Sequence, residues 1–183
     1  MKKLLPIAIV LLVALAAAPA HASERFNLLF SGGPETNVIS IKLSLDGRSY
    51  VIDSLGPLEA ASGICVHREG KENALLCEAA AIASFEVNAG GGDDSVNVSP
   101  KIPAPVTLRG GPGNDRLLGG AAADKLIGGP GDDILYGRGG DDWIFGGSGD
   151  DMIYGGSGND RLLGGSGLNT YSGGSGENEI VKS

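Results

Sequence analysis

Apolar residues are arranged in three ways along the chain. From Leu4 to Ala18 they form an uncharged stretch, between Ile39 and Leu45 they alternate with polar residues, and beyond Gly110 they return in a nine-residue period. The alternation Ile39-Ser40-Ile41-Lys42-Leu43-Ser44-Leu45 puts four aliphatic side chains on one face of a strand. Next come Asp46-Gly47 and then Arg48 to Asp53, which predicts a hairpin, because both turn residues tolerate positive φ. FNLLF, SGICV and SFEVNA predict further strands, and Ala79 to Ser84 reads as a helical turn or a strand.

The nine-residue period is unbroken over eight units: GGPGNDRLL, GGAAADKLI, GGPGDDILY, GRGGDDWIF, GGSGDDMIY, GGSGNDRLL, GGSGLNTYS and GGSGENEIV. The eighth place is apolar throughout, in Leu117, Leu126, Leu135, Ile144, Ile153, Leu162, Tyr171 and Ile180. A three-residue strand turns its middle side chain to one face and the neighbours to the other, so these residues line a thin core. AGGGDDSVN, at Ala89, is out of phase by three residues, so VSPKIPAPVTLR holds a bulge or a longer loop. Repetition at this period predicts a solenoid, and the chain reads as all-β.

Composition divides the chain. Of its 32 glycines, 26 lie at or after residue 89. Residues 23–88 therefore form a small β-rich segment, marginal as an independent core and expected to pack on the glycine-rich part, and residues 89–183 form the repeat domain. Residues 1–22 read as a secretory signal peptide: Lys2 and Lys3, the apolar stretch, then Ala20-His21-Ala22 before a cleavage point at Ser23. That stretch is short for a membrane span of about 20 residues. The mature protein is expected to be secreted, with no membrane span. Cleavage removes two lysines and no acids and moves the formal net charge from -8 to -10. Such acidity argues against nucleic acid, whose binding requires neutralised phosphates, and favours cations. In an oxidising compartment the two cysteines, Cys65 and Cys77, are expected to form one disulfide.

The first four places of each unit are small and mostly glycine, which permits positive φ and lets carbonyls converge. The fifth is usually Asp or Asn. The sixth is Asp in six units: Asp115, Asp124, Asp133, Asp142, Asp151 and Asp160. Parallel stacking places these carboxylates about 4.8 Å apart, where bare charges repel. A hard cation turns that repulsion into attraction. Calcium accepts six to eight oxygen ligands at flexible angles, and the repeats hold no His or Cys to suit zinc or copper.

The units resemble the calcium-binding nonapeptide of repeats-in-toxin (RTX) proteins, G-G-x-G-x-D-x-U-x with U a large apolar residue. The resemblance implies a C-terminal parallel β-roll with two units per coil, so that units 18 residues apart share a side. It also implies calcium between successive turns, bound by the sixth-position carboxylate and by carbonyls near the second and fourth positions. One side would stack Asp94, Asp115, Asp133 and Asp151; the other would stack Asp124, Asp142 and Asp160. The glycines expected to participate are Gly111, Gly113, Gly129, Gly131, Gly140, Gly147, Gly149, Gly156 and Gly158, around roughly four ions. Ala122 and Arg138 replace expected glycines and weaken the sites that use them. Asn169 and Asn178 at the sixth position mark the last two units as a degenerate cap.

Outward positions carry Ile134 with Tyr136, Met152 with Tyr154, and Trp143 with Phe145. These read as cross-strand packing or as a face for a glycan or protein partner. Catalysis is not expected: H-E-x-x-H and G-x-S-x-G are missing, and His67 stands alone beside the expected disulfide. The chain reads as a secreted calcium-binding protein, with an extracellular structural or adhesive protein as the alternative.

Overall fold

The structure is a computed structural model that describes residues 9–13, 26–55 and 65–182. The expected cleavage point before Ser23 lies outside the described residues. In chain order the strands are β1 (Ile9–Val13), β2 (Phe26–Ser31), β3 (Val38–Leu43), β4 (Ser49–Ser54), β5 (Cys65–Arg68), β6 (Lys71–Glu78), β7 (Ile82–Asn88), β8 (Ser95–Val98) and β9 (Val106–Arg109). The repeats then supply β10 (Arg116–Leu118), β11 (Lys125–Pro130), β12 (Ile134–Gly139), β13 (Trp143–Ser148), β14 (Met152–Ser157), β15 (Arg161–Ser166), β16 (Thr170–Ser175) and β17 (Glu179–Val181).

Successive repeat strands go to opposite sheets. One sheet runs β1-β2-β7-β9-β11-β13-β15-β17 and the other β16-β14-β12-β10-β8-β3-β4-β6-β5. Partners within the repeats are parallel and 18 residues apart, as in Leu117 beside Leu135 beside Ile153 and Leu126 beside Ile144 beside Leu162. The coil therefore contains two nine-residue units, as the resemblance implies.

The core lies between the sheets. Leu117, Leu126, Leu135, Ile144, Ile153 and Leu162 are fully buried. Tyr171 is only partly buried, and Ile180 departs from the expected core, being 39% exposed. Among the described residues no further coil stacks on β16 and β17, so their middle side chains are covered on fewer sides. The three-residue phase shift resides in 99–105, where Ile102 and Ala104 fold inward to fill the core.

Both sheets continue N-terminally. Strand β7 lies parallel between β2 and β9, and β3 lies parallel to β8. The segment before Ala89 thus shares one hydrophobic core with the repeats, including Phe30, Ile39, Ile41 and Phe85. Strands β4, β5 and β6 extend that sheet antiparallel, and Cys65 is bonded to Cys77, its direct partner across β5 and β6. Ala79–Ala81 forms one turn of 3-10 helix before β7 begins, so both elements read from that stretch occur.

The hairpin of β3 and β4 is wider than Asp-Gly predicts. Ser44 N–H donates to the Ser49 carbonyl, Gly47 N–H donates to the Ser44 carbonyl, and the Asp46 carboxylate accepts from the Ser44 hydroxyl and Arg48 N–H. Those bonds close a five-residue loop from Ser44 to Arg48. Leu45, expected on the apolar face, sits in the loop and is fully exposed. Among the described residues no helix is long and apolar enough to cross a membrane.

Candidate metal centre

The acidic turns of the repeats form two stacks at opposite edges of the roll. In one, Asp94 N–H donates to Asp115 Oδ1, Asp115 N–H to Asp133 Oδ1 and Asp133 N–H to Asp151 Oδ1, at 2.8 to 3.0 Å. In the other, Asp124 N–H donates to Asp142 Oδ1 and Asp142 N–H to Asp160 Oδ1. The structure brings together the residues that the 18-residue spacing grouped. Each sixth-position carboxylate reaches back to the preceding coil.

These seven aspartates are buried, each 4% exposed or less. Their second oxygens distinguish them. In Asp94, Asp115, Asp133, Asp142, Asp151 and Asp160, Oδ2 is buried with no hydrogen-bond partner. An anionic oxygen out of water with no donor is unfavourable unless it meets a cation or takes a proton. Burial, with a contribution from neighbouring acids, raises Asp115 to about 6, Asp133 to about 7 and Asp142 to about 8. Asp94, Asp151 and Asp160 are also raised, chiefly by burial.

Asp124 differs. Its Oδ1 accepts from Val106 N–H and its Oδ2 from Gly120 N–H, so both oxygens are satisfied within the protein. Burial still raises it to about 6. Its turn is the alanine-rich GGAAAD, where Ala122 stands in place of the glycine found in other units.

The expected glycines Gly111, Gly113, Gly129, Gly131, Gly140, Gly147, Gly149, Gly156 and Gly158 all have positive φ. At Gly129 and Gly131 a side chain is excluded by space as well as by conformation. A Cβ there would lie 2.2 Å from the Gly111 carbonyl oxygen and 2.0 Å from that of Gly113. Second- and fourth-position carbonyls thus point along the stack at the next coil. Glycine at the first position serves the carboxylate: a Cβ at Gly128 would meet Asp133 Oδ2 at 2.1 Å and the Gly146 carbonyl oxygen at 2.6 Å.

Among the described residues no three acidic, His or Cys side chains converge on one point. A cation here would therefore take most of its ligands from backbone carbonyls, with the orphaned carboxylate oxygens supplying the charge. That donor set, all oxygen and spread over two coils, fits calcium, which tolerates irregular oxygen shells. It does not suit metals that favour nitrogen or sulfur.

Fifth-position residues have a role that sequence reasoning left open. Asn114 Oδ1 accepts from Asp132 N–H, Asp132 Oδ1 from Asp150 N–H, Asp141 Oδ1 from Asn159 N–H and Asp150 Oδ1 from Leu168 N–H. This outer ladder runs from each coil to the next, opposite in direction to the buried one. The signal was the recurrence of Asp or Asn, whose side chains can accept from a neighbouring backbone N–H.

The outward aromatics find partners inside the protein. Tyr136 and Tyr154 stack with ring centroids 4.3 Å apart, Arg116 lies over Tyr136, and Lys125 lies 4.6 Å over Trp143. Such pairs are worth about 0.5–1.5 kcal/mol beyond area burial and stabilise neighbouring coils.

A family model described as RTX calcium-binding nonapeptide repeat (4 copies) matches residues 109–144 and 145–180. No curated protein and no solved structure matches the chain. The two matched spans cover β10 to β16 and the turns just described, except that of Asp94. Residues 109–180 therefore match the RTX calcium-binding nonapeptide repeat, and these repeats build a parallel β-solenoid.

Proposed function

We propose that this protein is exported and then folds around several calcium ions held between the coils of its solenoid, acting as a calcium-binding protein without catalytic activity. The observation that carries this reading is the set of six buried carboxylate oxygens without partners, all at the sixth position of acidic turns. Asp133, Asp142, Asp151 and Asp160 would supply charge, with carbonyls of Gly129, Gly131, Gly140, Gly147, Gly149, Gly156 and Gly158 completing the shells. Asp94, Asp115, Gly111 and Gly113 extend the same arrangement toward the N-terminus. About four ions satisfy these half-sites.

Calcium and export belong together. A glycine-rich acidic chain loses much entropy on ordering and repels itself, so a cation that binds only the stacked state contributes its binding energy to folding. Calcium is scarce inside cells and abundant outside, which delays folding until after export. The leader-like N-terminus, the expected cleavage before Ser23 and the Cys65–Cys77 bond support an extracytoplasmic location.

Calorimetric titration with calcium, alongside circular dichroism before and after chelation, tests the reading. Several ions should bind, β-structure should appear with them and chelator should reverse it, while Asp133→Ala should bind fewer ions. A spectrum indifferent to calcium, with no heat of binding, would sink the proposal.

A further inference from the structure

A turn outside the recognised repeats sits on the same stack. Residues 32–40, GGPETNVIS, have glycines at the first two places, Asn37 at the sixth and buried Ile39 at the eighth. Their strand pairs parallel with β8, Ile39 beside Val96, as each repeat pairs with the next. Asn37 N–H donates to Asp94 Oδ1 at 2.5 Å, the bond that the sixth-position residues Asp94 and Asp115 make to the next coil. The segment is thus a divergent repeat one coil ahead of Ala89.

Its sixth residue is an amide, and the amide nitrogen occupies a particular place. Asn37 Nδ2 donates to the carbonyls of Glu35 at 2.5 Å, Ala89 at 3.0 Å and Gly33 at 3.5 Å, and to Asp94 Oδ1 at 3.2 Å. Gly33 and Glu35 are the second and fourth positions of the turn. Four oxygens, two of them carbonyls of the kind that would hold calcium and one a sixth-position carboxylate, surround one N–H2 group. At the other end Asn169 Nδ2 donates to the second-position carbonyl of Gly165, and Asn178 Nδ2 to the fourth-position carbonyl of Gly176.

The opposite edge begins in the same way with a different donor. Arg138, the single non-glycine with positive φ among the described residues, sends its guanidinium back across two coils. It donates to the carbonyls of Gly119 and Val98 and to Asn97 Oδ1. It lies over the turn in which Asp124 already has both oxygens satisfied.

We infer that Asn37 is a built-in replacement for calcium: its amide closes the first turn of the stack without metal, so that the N-terminal coil is a pre-folded platform on which the calcium-dependent coils assemble. On the other edge Arg138 ties coils together with a different donor set, reaching the first-position carbonyl of Gly119 and the strand carbonyl of Val98. The inference rests on the calcium reading of the interior turns. An Asp at position 37 would put an anionic oxygen where the amide donates, among oxygens that then require a cation.

The test compares wild type with Asn37→Asp, using amide hydrogen exchange in chelator and in calcium, and native mass spectrometry to count bound calcium. In chelator, wild-type amides of residues 37–41 should stay protected while those of 134–160 exchange. Asn37→Asp should lose protection at 37–41 in chelator, regain it in calcium and bind one more ion. Loss of protection at 37–41 together with 134–160 in chelated wild type would overturn the inference, even if the variant fails to fold. An unchanged ion count with retained protection in Asn37→Asp would also overturn it. Absence of any bound calcium in wild type would instead remove the calcium reading on which it depends.

Discussion

The backbone N–H of Asp115 donates to the carboxylate of Asp133, 18 residues further along the chain, and the other oxygen of that carboxylate is buried with no donor. One side chain thus ties two coils together and creates an unmet demand for positive charge. Structural and ligand roles are joined in the same group, which allows substitutions to separate them.

Asp133→Asn keeps the acceptor for Asp115 and replaces the orphaned oxygen with a donor, as Asn169 does one stack position beyond Asp151. The variant should bind less calcium yet be more resistant to heat in chelator than wild type. Asp133→Ala should bind less calcium and, in calcium, also lose about 1–3 kcal/mol, because the buried Asp115 N–H is left unpaired. Calorimetry and thermal melts, each with and without calcium, distinguish the two.

Gly128→Ala should be damaging through space alone, with no contribution from a positive φ. The added carbon would sit 2.1 Å from Asp133 Oδ2, so the carboxylate must leave its ladder. Overpacking of this kind costs about 1–3 kcal/mol, and calcium binding should fall with it. Gly47→Ala is the contrast: φ is 70° but nothing lies within 4 Å of the new carbon. Only backbone strain remains there, about 1 kcal/mol, with calcium titration unchanged.

Restoring the repeat consensus at Arg138 should destabilise the protein. Arg138→Gly relieves the strain of a side chain at φ 80°, worth about 1–2 kcal/mol. It also removes the guanidinium from three acceptors, and bonds to charged groups contribute about 1.5–3 kcal/mol each. Arg138→Ala loses the bonds and keeps the strain, so it should melt below Arg138→Gly, and both below wild type. A melting temperature above wild type for Arg138→Gly would contradict the role assigned to the guanidinium.

Without calcium, acid should favour the roll. Folding raises Asp115, Asp133 and Asp142 from an ordinary 3.8 to about 6, 7 and 8. The stacked state therefore binds more protons than the disordered one between these values. The stability associated with protonation is complete below pH 4 and is lost as pH rises through 6 to 8. Chelated protein should show more β-structure at pH 5 than at pH 8, and calcium, which competes with those protons, should bind more tightly at pH 8. Circular dichroism against pH in chelator, with calcium titrations at both values, checks the two signs.

Residue order alone predicts a solenoid and the buried eighth positions from Leu117 to Leu162, because an apolar middle residue repeated at a constant interval buries one face of each short strand. The two-unit coil and the grouping of the sixth-position aspartates come from the resemblance of the units to RTX nonapeptides. Apolar patterning locates the strands around Ile39 and Phe85, and the partnership of Cys65 with Cys77 follows from there being two cysteines in a chain read as exported. Matters that depend on which coil lies next to which emerge only in three dimensions. Local alternation could not show that hairpin bonds would stop β3 at Leu43 and leave Leu45 in water. Composition marks the segment before Ala89 as different, yet its strands continue both sheets, because a strand joins whichever edge offers it unpaired backbone groups and an apolar face. Nor could spacing reveal that Asp124 is satisfied by Gly120 and Val106 while Asp133 is not. Asn37 lies 57 residues from Asp94 and Arg138 lies 40 from Val98, and a donor's partner across such separations exists only once the coils are stacked.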